Sequence, residues 1–324
     1  MQLPVFTDYE GFHAWRTDPS KSLPAAIDIA RSHGLSCTEP HAFATGTNLV
    51  VGLDDRLILK IFPPLLRRQF VSERAALAAL RGHLTVAIPE IVVEGERDGW
   101  PYLVITRLPG ALGKEAWPRL AEAQKERILF QLGATIAEVQ RAPPDSLAEI
   151  EPRWDTLMRE QIAGCRARHA RLGLAKKFLD GLDDLLRDAA PLIPMQPQAV
   201  ILTGEYVPEN LLLDIGDGDC CLAGVIDFGD VMTGWREYDL MGPSAFMAAG
   251  RPRRVRSLFD GYGYSRMDMT FELKRRLMAL MMLHRFSDPI RHICIENWQN
   301  KADDFEQLQE LIWPDDQGSS SSPT

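Results

Sequence analysis

The sequence predicts an α+β protein in two lobes: a small N-terminal antiparallel-sheet lobe and a larger, mainly helical C-terminal lobe. Three observations lead there. Two pairs of β-branched-rich runs flank one helical pattern within the first 108 residues. Pro109-Gly110 then interrupts the pattern. After that point helical periodicity dominates, and three short strand-like runs carry polar residues.

Taken in order, residues 47–53 (TNLVVGL) and 56–62 (RLILKIF) read as strands joined at Asp54-Asp55, a hairpin signal. Pro63-Pro64 opens a helical pattern, RRQFVSERAALAALRGH, with Phe70, Leu77 and Leu80 apolar. Strands near 90–94 and 102–108 flank the turn residues Asp98-Gly99. The first third is thus expected to be strands around one helix. Helices follow over about 117–140, 154–172, 178–190, 235–249 and 271–286. The first of these has an apolar stripe through Leu120, Ile128, Leu132, Ile136 and Val139. Short strands are expected at 199–203, 211–214 and 222–226. The polar, Ser-rich end, DDQGSSSSPT, is expected to be disordered. The expected division is an N-terminal lobe at 1–108, a C-terminal lobe at 109–314 and a disordered tail at 315–324.

Bulk properties narrow the function classes. A formal charge of -9 argues against nucleic acid as a partner and suits cationic ligands. The longest apolar run, 277–283, is far short of the roughly 18 residues that span a bilayer. Asp8 and Glu10 occur early, with no basic segment leading into an apolar one, so no signal peptide is expected. The scattered, odd set Cys37, Cys165, Cys220, Cys221 and Cys294 reads as reduced thiols. These features together lead to an expectation of a cytoplasmic protein with no membrane partner.

Four elements carry chemistry. Lys60 ends a strand, and Glu73 lies thirteen residues later in the following helix. TGEYVPEN (203–210) lies between two short strands, and VIDFGD (225–230) ends a third. Phosphoryl transfer needs such a set, because its transition state is loose and highly charged and catalysis is mainly positioning and electrostatics. A strand Lys can touch phosphates, with a helix Glu fixing it by ion pairing. An Asn and an Asp at strand ends can hold Mg²⁺ through oxygen and leave room for phosphate oxygens. A carboxylate five residues before the Asn, here Glu205, can accept or orient the proton of an attacking hydroxyl.

These runs resemble the aminoglycoside phosphotransferases and related choline-kinase-like enzymes. ILTGEYVPENLLLD (201–214) is similar to their catalytic loop, usually His-Gly-Asp followed four residues later by Asn and hydrophobic residues. GVIDFGDVMTGWREYDL (224–240) resembles their metal-binding segment and the helix after it. LILKIF with SERAALAAL resembles their Lys strand and Glu helix. The resemblance extends over about residues 45–240 and implies a protein-kinase-like fold and an ATP- and Mg²⁺-dependent transfer to a hydroxyl of a small molecule, most of all an aminoglycoside or aminocyclitol. It implies that Lys60 contacts the phosphates, that Glu73 pairs with it, and that Asn210 and Asp227 bind Mg²⁺. It places Glu205 as the catalytic carboxylate, Asp239 as the brace of its loop, Thr106 and Leu108 at the adenine edge, and Gly46, Thr47 and Asn48 in the nucleotide loop. The chain departs from the pattern at Thr203 and Glu205, where the family has His and Asp. Two alternatives stay open: a metabolic kinase acting on an amino alcohol, sugar or amino acid, and a nucleotide-binding pseudokinase. The choice between ATP and GTP as donor also stays open.

Other features take plainer readings. His284 is expected on a helix face or in the core, and Met278, Met281 and Met282 in core packing. Arg251, Arg253, Arg254 and Arg256 read as a solvated helix start. Asp303, Asp304 and Glu306 read as a helix N-terminal charge preference, or by resemblance as a cation-binding lining.

Overall fold

The strand pattern around Lys60 is realised as an antiparallel sheet. The computed structural model describes residues 2–216 and 220–315 and divides into two units. The first comprises Met1–Gly82, Ala87–Pro109 and Gly224–Val231; the second comprises His83–Val86, Gly110–Ala223 and Met232–Thr324. Of the tail expected to be disordered, 315–324, all but Asp315 lies outside the described residues, and Asp315 pairs with Lys274 Nζ at 2.9 Å.

In the first unit, β1 (His41–Ala42), β2 (Leu49–Gly52), β3 (Leu57–Ile61), β4 (Ile91–Arg97) and β5 (Trp100–Thr106) form one sheet in the order β1-β2-β3-β5-β4. Its pairings are antiparallel. Asp54 closes the first hairpin, its side chain accepting from the backbone N–H of Arg56 and Leu57, each at 2.8 Å. Asp98 and Gly99 close the second with φ of 50° and 81°, the left-handed pair that a two-residue hairpin turn demands.

The expectation of strands around one helix is corrected here. Two helices, α1 (Tyr9–Arg16) and α2 (Pro19–Ser32), precede the sheet, and α3 (Arg67–Leu80) is the one expected. Asp8 caps α1 and Asp18 caps α2, with Pro19 at the first helical position. The two helices, eight and fourteen residues long, cover the sheet. Phe12, Ala25, Ala26 and Ile29 join Leu49, Val51, Leu59, Ile61, Trp100, Tyr102 and Val104 in one buried core. Phe6, Phe12 and Trp15 each pack on Trp100 at 5.6–5.9 Å between ring centroids.

The second unit is mainly helical: α4 (Gly113–Ala116), α5 (Glu122–Arg141), α6 (Trp154–Leu172), α7 (Lys176–Ala189), α8 (Pro252–Tyr262), α9 (Phe271–Leu283), α10 (Pro289–His292), α11 (Trp298–Lys301) and α12 (Phe305–Ile312). Short strands β6 (Ala111–Leu112), β8 (Leu211–Ile215) and β9 (Cys220–Val225) form one sheet, and β7 (Val200–Leu202) pairs with β10 (Met232–Gly234). The residues from Leu277 to Leu283 are buried on every side of α9, which makes it the central helix. Met278, Met281 and Met282 lie in that core.

Two local expectations are corrected. Residues 235–249 do not form one α-helix: Arg236–Leu240 is a 3-10 turn and Pro243–Ala248 a π-helical segment. Gly242 lies so close to the loop before it that a Cβ there would meet the Tyr206 carbonyl at 2.7 Å, and Pro243 lacks an N–H. Arg254 is buried rather than solvated, because α8 packs across α5. Its guanidinium makes two bonds to Glu122, at 2.9 and 2.6 Å, and one to the Met247 carbonyl at 3.1 Å.

Candidate active site

Strand parity sets the first half of the site. Leu59 and Ile61 point into the core under α1 and α2, so Lys60 between them points to the opposite face. Glu73 of α3 meets it there. Lys60 Nζ donates to Glu73 Oε2 at 2.5 Å and to Asp227 Oδ1 at 3.0 Å. Lys60 and Glu73 are buried, at 6% and 1% exposure, while the Asp227 side chain keeps 39%.

The electrostatics follow from that triad. Burial alone would lower Lys60, but the carboxylates of Asp227 and Glu73 outweigh it and hold the ammonium above its ordinary range. Burial raises Glu73 despite the pull of Lys60, whereas Lys60 holds Asp227 below the usual carboxylate range against its own burial. The lysine is therefore cationic at neutral pH, with the Asp227 carboxylate ionised beside it. Asp227 has φ of 67°, in the left-handed region that a non-glycine residue enters at a cost. This turn carries the carboxylate out of the strand end to Lys60.

Other predicted residues of this unit take different positions. Gly46 and Thr47 are exposed, Gly46 with φ of 92°. Asn48 is buried and its Nδ2 donates to Gln69 Oε1 at 2.8 Å; Gln69 Nε2 donates to Asp230 Oδ2 at 3.0 Å. Asn48 thus ties its loop to α3 and to the segment carrying Asp227. Thr106 ends β5, its N–H donating to the Glu90 carbonyl and its hydroxyl accepting from the Glu90 N–H, both at 2.9 Å. Leu108 lies half-buried two residues on.

In the second unit, the loop 203–210 is anchored from below. Asp239 accepts from Thr203 N at 2.9 Å and Gly204 N at 2.8 Å, one bond to each carboxyl oxygen. Gly204 has φ of 75°, which lets both N–H groups face one carboxyl. The Glu205 carbonyl accepts from Val207 N at 2.9 Å and from Asn210 Nδ2 at 3.1 Å. That second bond orients the Asn210 amide, leaving its Oδ1 as the acceptor turned to other use.

Burial pushes Asp239 up to about 7 from its ordinary 3.8, against the pull of those two N–H groups. A folded-state value above the unfolded one means that the fold holds this proton between about 4 and about 7. The contribution of Asp239 to stability is then greatest at the acid end and declines as pH rises through that window. Thermal melts of the parent and Asp239→Asn at pH 5 and 7.5 check this. The variant is expected to melt lower at pH 5, and the gap is expected to narrow at pH 7.5; a widening gap would overturn it.

A cavity of about 390 Å³ opens beside the loop. Its acidic groups are Glu205, Glu209 and Asp288, and its apolar wall includes Met241, Phe246 and Met281. Asp304 of the late acidic cluster instead caps α12, accepting from Gln307 N at 2.8 Å. Sequence reasoning passed over Asp288 and His292, which also line the cavity, and His284, expected on a helix face or in the core, instead lies just past the end of α9 and lines it too. Asp288 and His292 stand alone in the chain with no motif around them.

Comparison with known proteins gives this arrangement its class. The wild-type aminoglycoside 2'-phosphotransferase-IIIa in complex with GDP superposes with a TM-score of 0.64 at 17% identity, covering 90% of this chain and 98% of its own. The GDP and kanamycin complex of a related aminoglycoside phosphotransferase gives 0.62 at 19%, covering 80% and 89%. The fold is therefore the kinase-like one of these enzymes, with a small antiparallel-sheet part and a mostly helical remainder. A family model described as the phosphotransferase enzyme family matches residues 38–276, and the chain belongs to that family. Aminoglycoside 3'-phosphotransferase of Streptomyces fradiae is 26% identical over 215 residues, 62% of this chain and 74% of that protein.

Proposed function

We propose that this phosphotransferase moves a phosphoryl group from ATP, with Mg²⁺, to a hydroxyl of an aminoglycoside or aminocyclitol. One observation carries the reading furthest: a buried Lys60 kept cationic between Glu73 at 2.5 Å and Asp227 at 3.0 Å. A lysine so fixed supplies a positive charge for phosphate oxygens without having to be ordered first. The relative from Streptomyces fradiae and the kanamycin complex support the acceptor class.

The residues fit Mg²⁺ by donor chemistry. Asp227 offers a part-exposed carboxylate at a strand end and Asn210 an amide oxygen, both hard ligands of the kind this ion takes. Each is proposed as a ligand within its own unit's geometry. When bound, the ion neutralises charge on the phosphates. Lys60 binds phosphate oxygens, Glu73 orients Lys60, and Glu205 accepts or orients the proton of the acceptor hydroxyl. Thr106 and Leu108 are assigned to the adenine edge and the backbone of Gly46 and Thr47 to the nucleotide loop, which Asn48 secures from within.

A mass-spectrometric screen of aminoglycosides, amino alcohols, sugars and amino acids with ATP and Mg²⁺ tests this. A mass gain of one phosphate on an aminoglycoside is expected. Phosphorylation confined to another class would move the reading to a metabolic kinase. Mg²⁺-dependent nucleotide binding with no turnover would favour a pseudokinase, which the Glu at position 205 motivates.

Acceptor binding should also depend on salt. Exposed ion pairs contribute only about 0–1 kcal/mol each, so a cationic acceptor needs Glu205, Glu209 and Asp288 acting together. Calorimetric titration of kanamycin with a nonhydrolysable ATP analogue is expected to give clearly weaker binding at physiological salt than at low salt, as the screening length shrinks to about 8 Å. No heat from any cationic aminocyclitol at low salt would count against the acceptor class.

A further inference from the structure

The grip of Asp239 on the Thr203 and Gly204 N–H groups is only as firm as the short turn that carries it. Arg236–Leu240 is a 3-10 segment of five residues with no side-chain cap, so its own hydrogen bonds do little to fix it. The fixing comes from the side chains just before Asp239. Glu237 is buried at 1% exposure. Both of its carboxyl oxygens are engaged from outside the turn. Arg276 of α9 donates Nε to Oε2 at 3.0 Å and Nη2 to Oε1 at 2.7 Å, and the Tyr264 hydroxyl donates to Oε1 at 2.6 Å. A bidentate guanidinium fixes the plane of the carboxylate as well as its place. Burial and the Glu237 charge push the Tyr264 hydroxyl well above its ordinary range, so it stays a donor.

The residues on either side are held as well. The Arg236 guanidinium lies over the rings of Tyr262 and Tyr264, 5.4 and 5.2 Å from their centroids, and its Nε donates to the Tyr262 hydroxyl at 3.2 Å. That hydroxyl donates to Gln140 Oε1 at 2.7 Å. Gln140 Nε2 returns a bond to the Arg236 carbonyl at 2.7 Å, which ties the start of the turn to α5. The Tyr238 hydroxyl accepts from the Arg285 N–H at 2.9 Å. Glu237 joins the turn to the central helix, α9, through a charge that water barely reaches.

We infer that Glu237 is a positioning residue for Glu205: tied to Arg276 and Tyr264, it sets the turn that aims Asp239 at the Thr203-Gly204 peptide leading into Glu205. The kinetic part of its test rests on the phosphotransfer reading, whereas the exchange part stands without it.

Three variants separate position from stability. Glu237→Gln keeps the shape but leaves the Arg276 guanidinium without its carboxylate, so it is expected to melt lower. Adding Arg276→Met removes that uncompensated charge and lays an apolar chain on Trp235, over whose ring the guanidinium sits at 5.8 Å. The melting temperature is then expected to return toward the parent. Turnover is expected to fall about a hundredfold in Glu237→Gln, with KM for the nucleotide unchanged, and to stay low in the double variant. Hydrogen–deuterium exchange of residues 201–207, which carry the two N–H groups that Asp239 holds, is expected to speed up about tenfold in both, with residues 122–132 of α5 as in the parent. Tyr264→Phe removes a single donor and keeps the ring beneath Arg236. A smaller change in the same direction is expected, and this variant decides the matter if Glu237→Gln does not fold. Recovery of turnover and exchange along with the melting temperature in the double variant would overturn the inference, since stability would then be the whole effect. So would a speed-up shared equally by residues 122–132, or parent-like exchange of residues 201–207. If the parent proves inactive on every acceptor, the exchange comparison still decides the question.

Discussion

Asp227→Asn is expected to reduce phosphotransfer about a thousandfold while the protein still folds. The loss follows from removing the charge that faces both Lys60 and the proposed metal, in a reaction where stabilising phosphate charge is the main contribution. The fold should persist, because Lys60 keeps its 2.5 Å partner Glu73. Asn is the cleaner variant for a backbone reason. Position 227 has φ of 67°, which Asn tolerates and Ala enters at about 1–2 kcal/mol. Asp227→Ala should thus lose activity equally but melt at a lower temperature. Steady-state kinetics over a Mg²⁺ titration, with melting curves on both variants, provide the check. Near-normal turnover in Asp227→Asn would remove the residue from the metal site.

Glu205→Gln is expected to cut turnover by about 10²–10⁴-fold, the range for a positioned acid or base. Its carbonyl is held by Val207 N and Asn210 Nδ2, and those bonds survive the substitution. The effect should therefore fall on kcat and leave KM for the nucleotide nearly unchanged. Glu205→Asp should be milder, since charge is kept and only reach is lost. If both variants match the parent, Glu205 is a bystander and the hydroxyl is oriented by another group.

The contrast between Lys60 and Asn48 shows which parts of this site are visible in a linear chain. Lys60 was legible because strand alternation is a local rule: with Leu59 and Ile61 committed to the core, the residue between them must face the other way. Glu73 was legible because it lies on the next helix, thirteen residues on. Asn48 sits in a stretch that reads as a nucleotide loop, yet its amide turns inward to Gln69, a partner that no spacing rule selects. Arg254 read as solvated for the same kind of reason, since burial came from α5 and Glu122, 132 residues earlier.

Periodicity, turn chemistry and the order of charged residues were set by the chain alone, because each depends on neighbours within a few bonds or one turn. They determined the sheet hairpins at Asp54 and at Asp98-Gly99, the long helices, and the residue types presented by the loops at 203–210 and 225–230. Packing decided the rest. α1 and α2 hold because Phe12 of the one and Ala25, Ala26 and Ile29 of the other bury against the sheet. The short and π-helical turns after Trp235 arise where Gly242 is pressed against the Tyr206 carbonyl. Asp288 and His292 come to the cavity beside Glu205 from more than 80 residues further along the chain, and a site made by three-dimensional convergence leaves no spacing for a sequence to show.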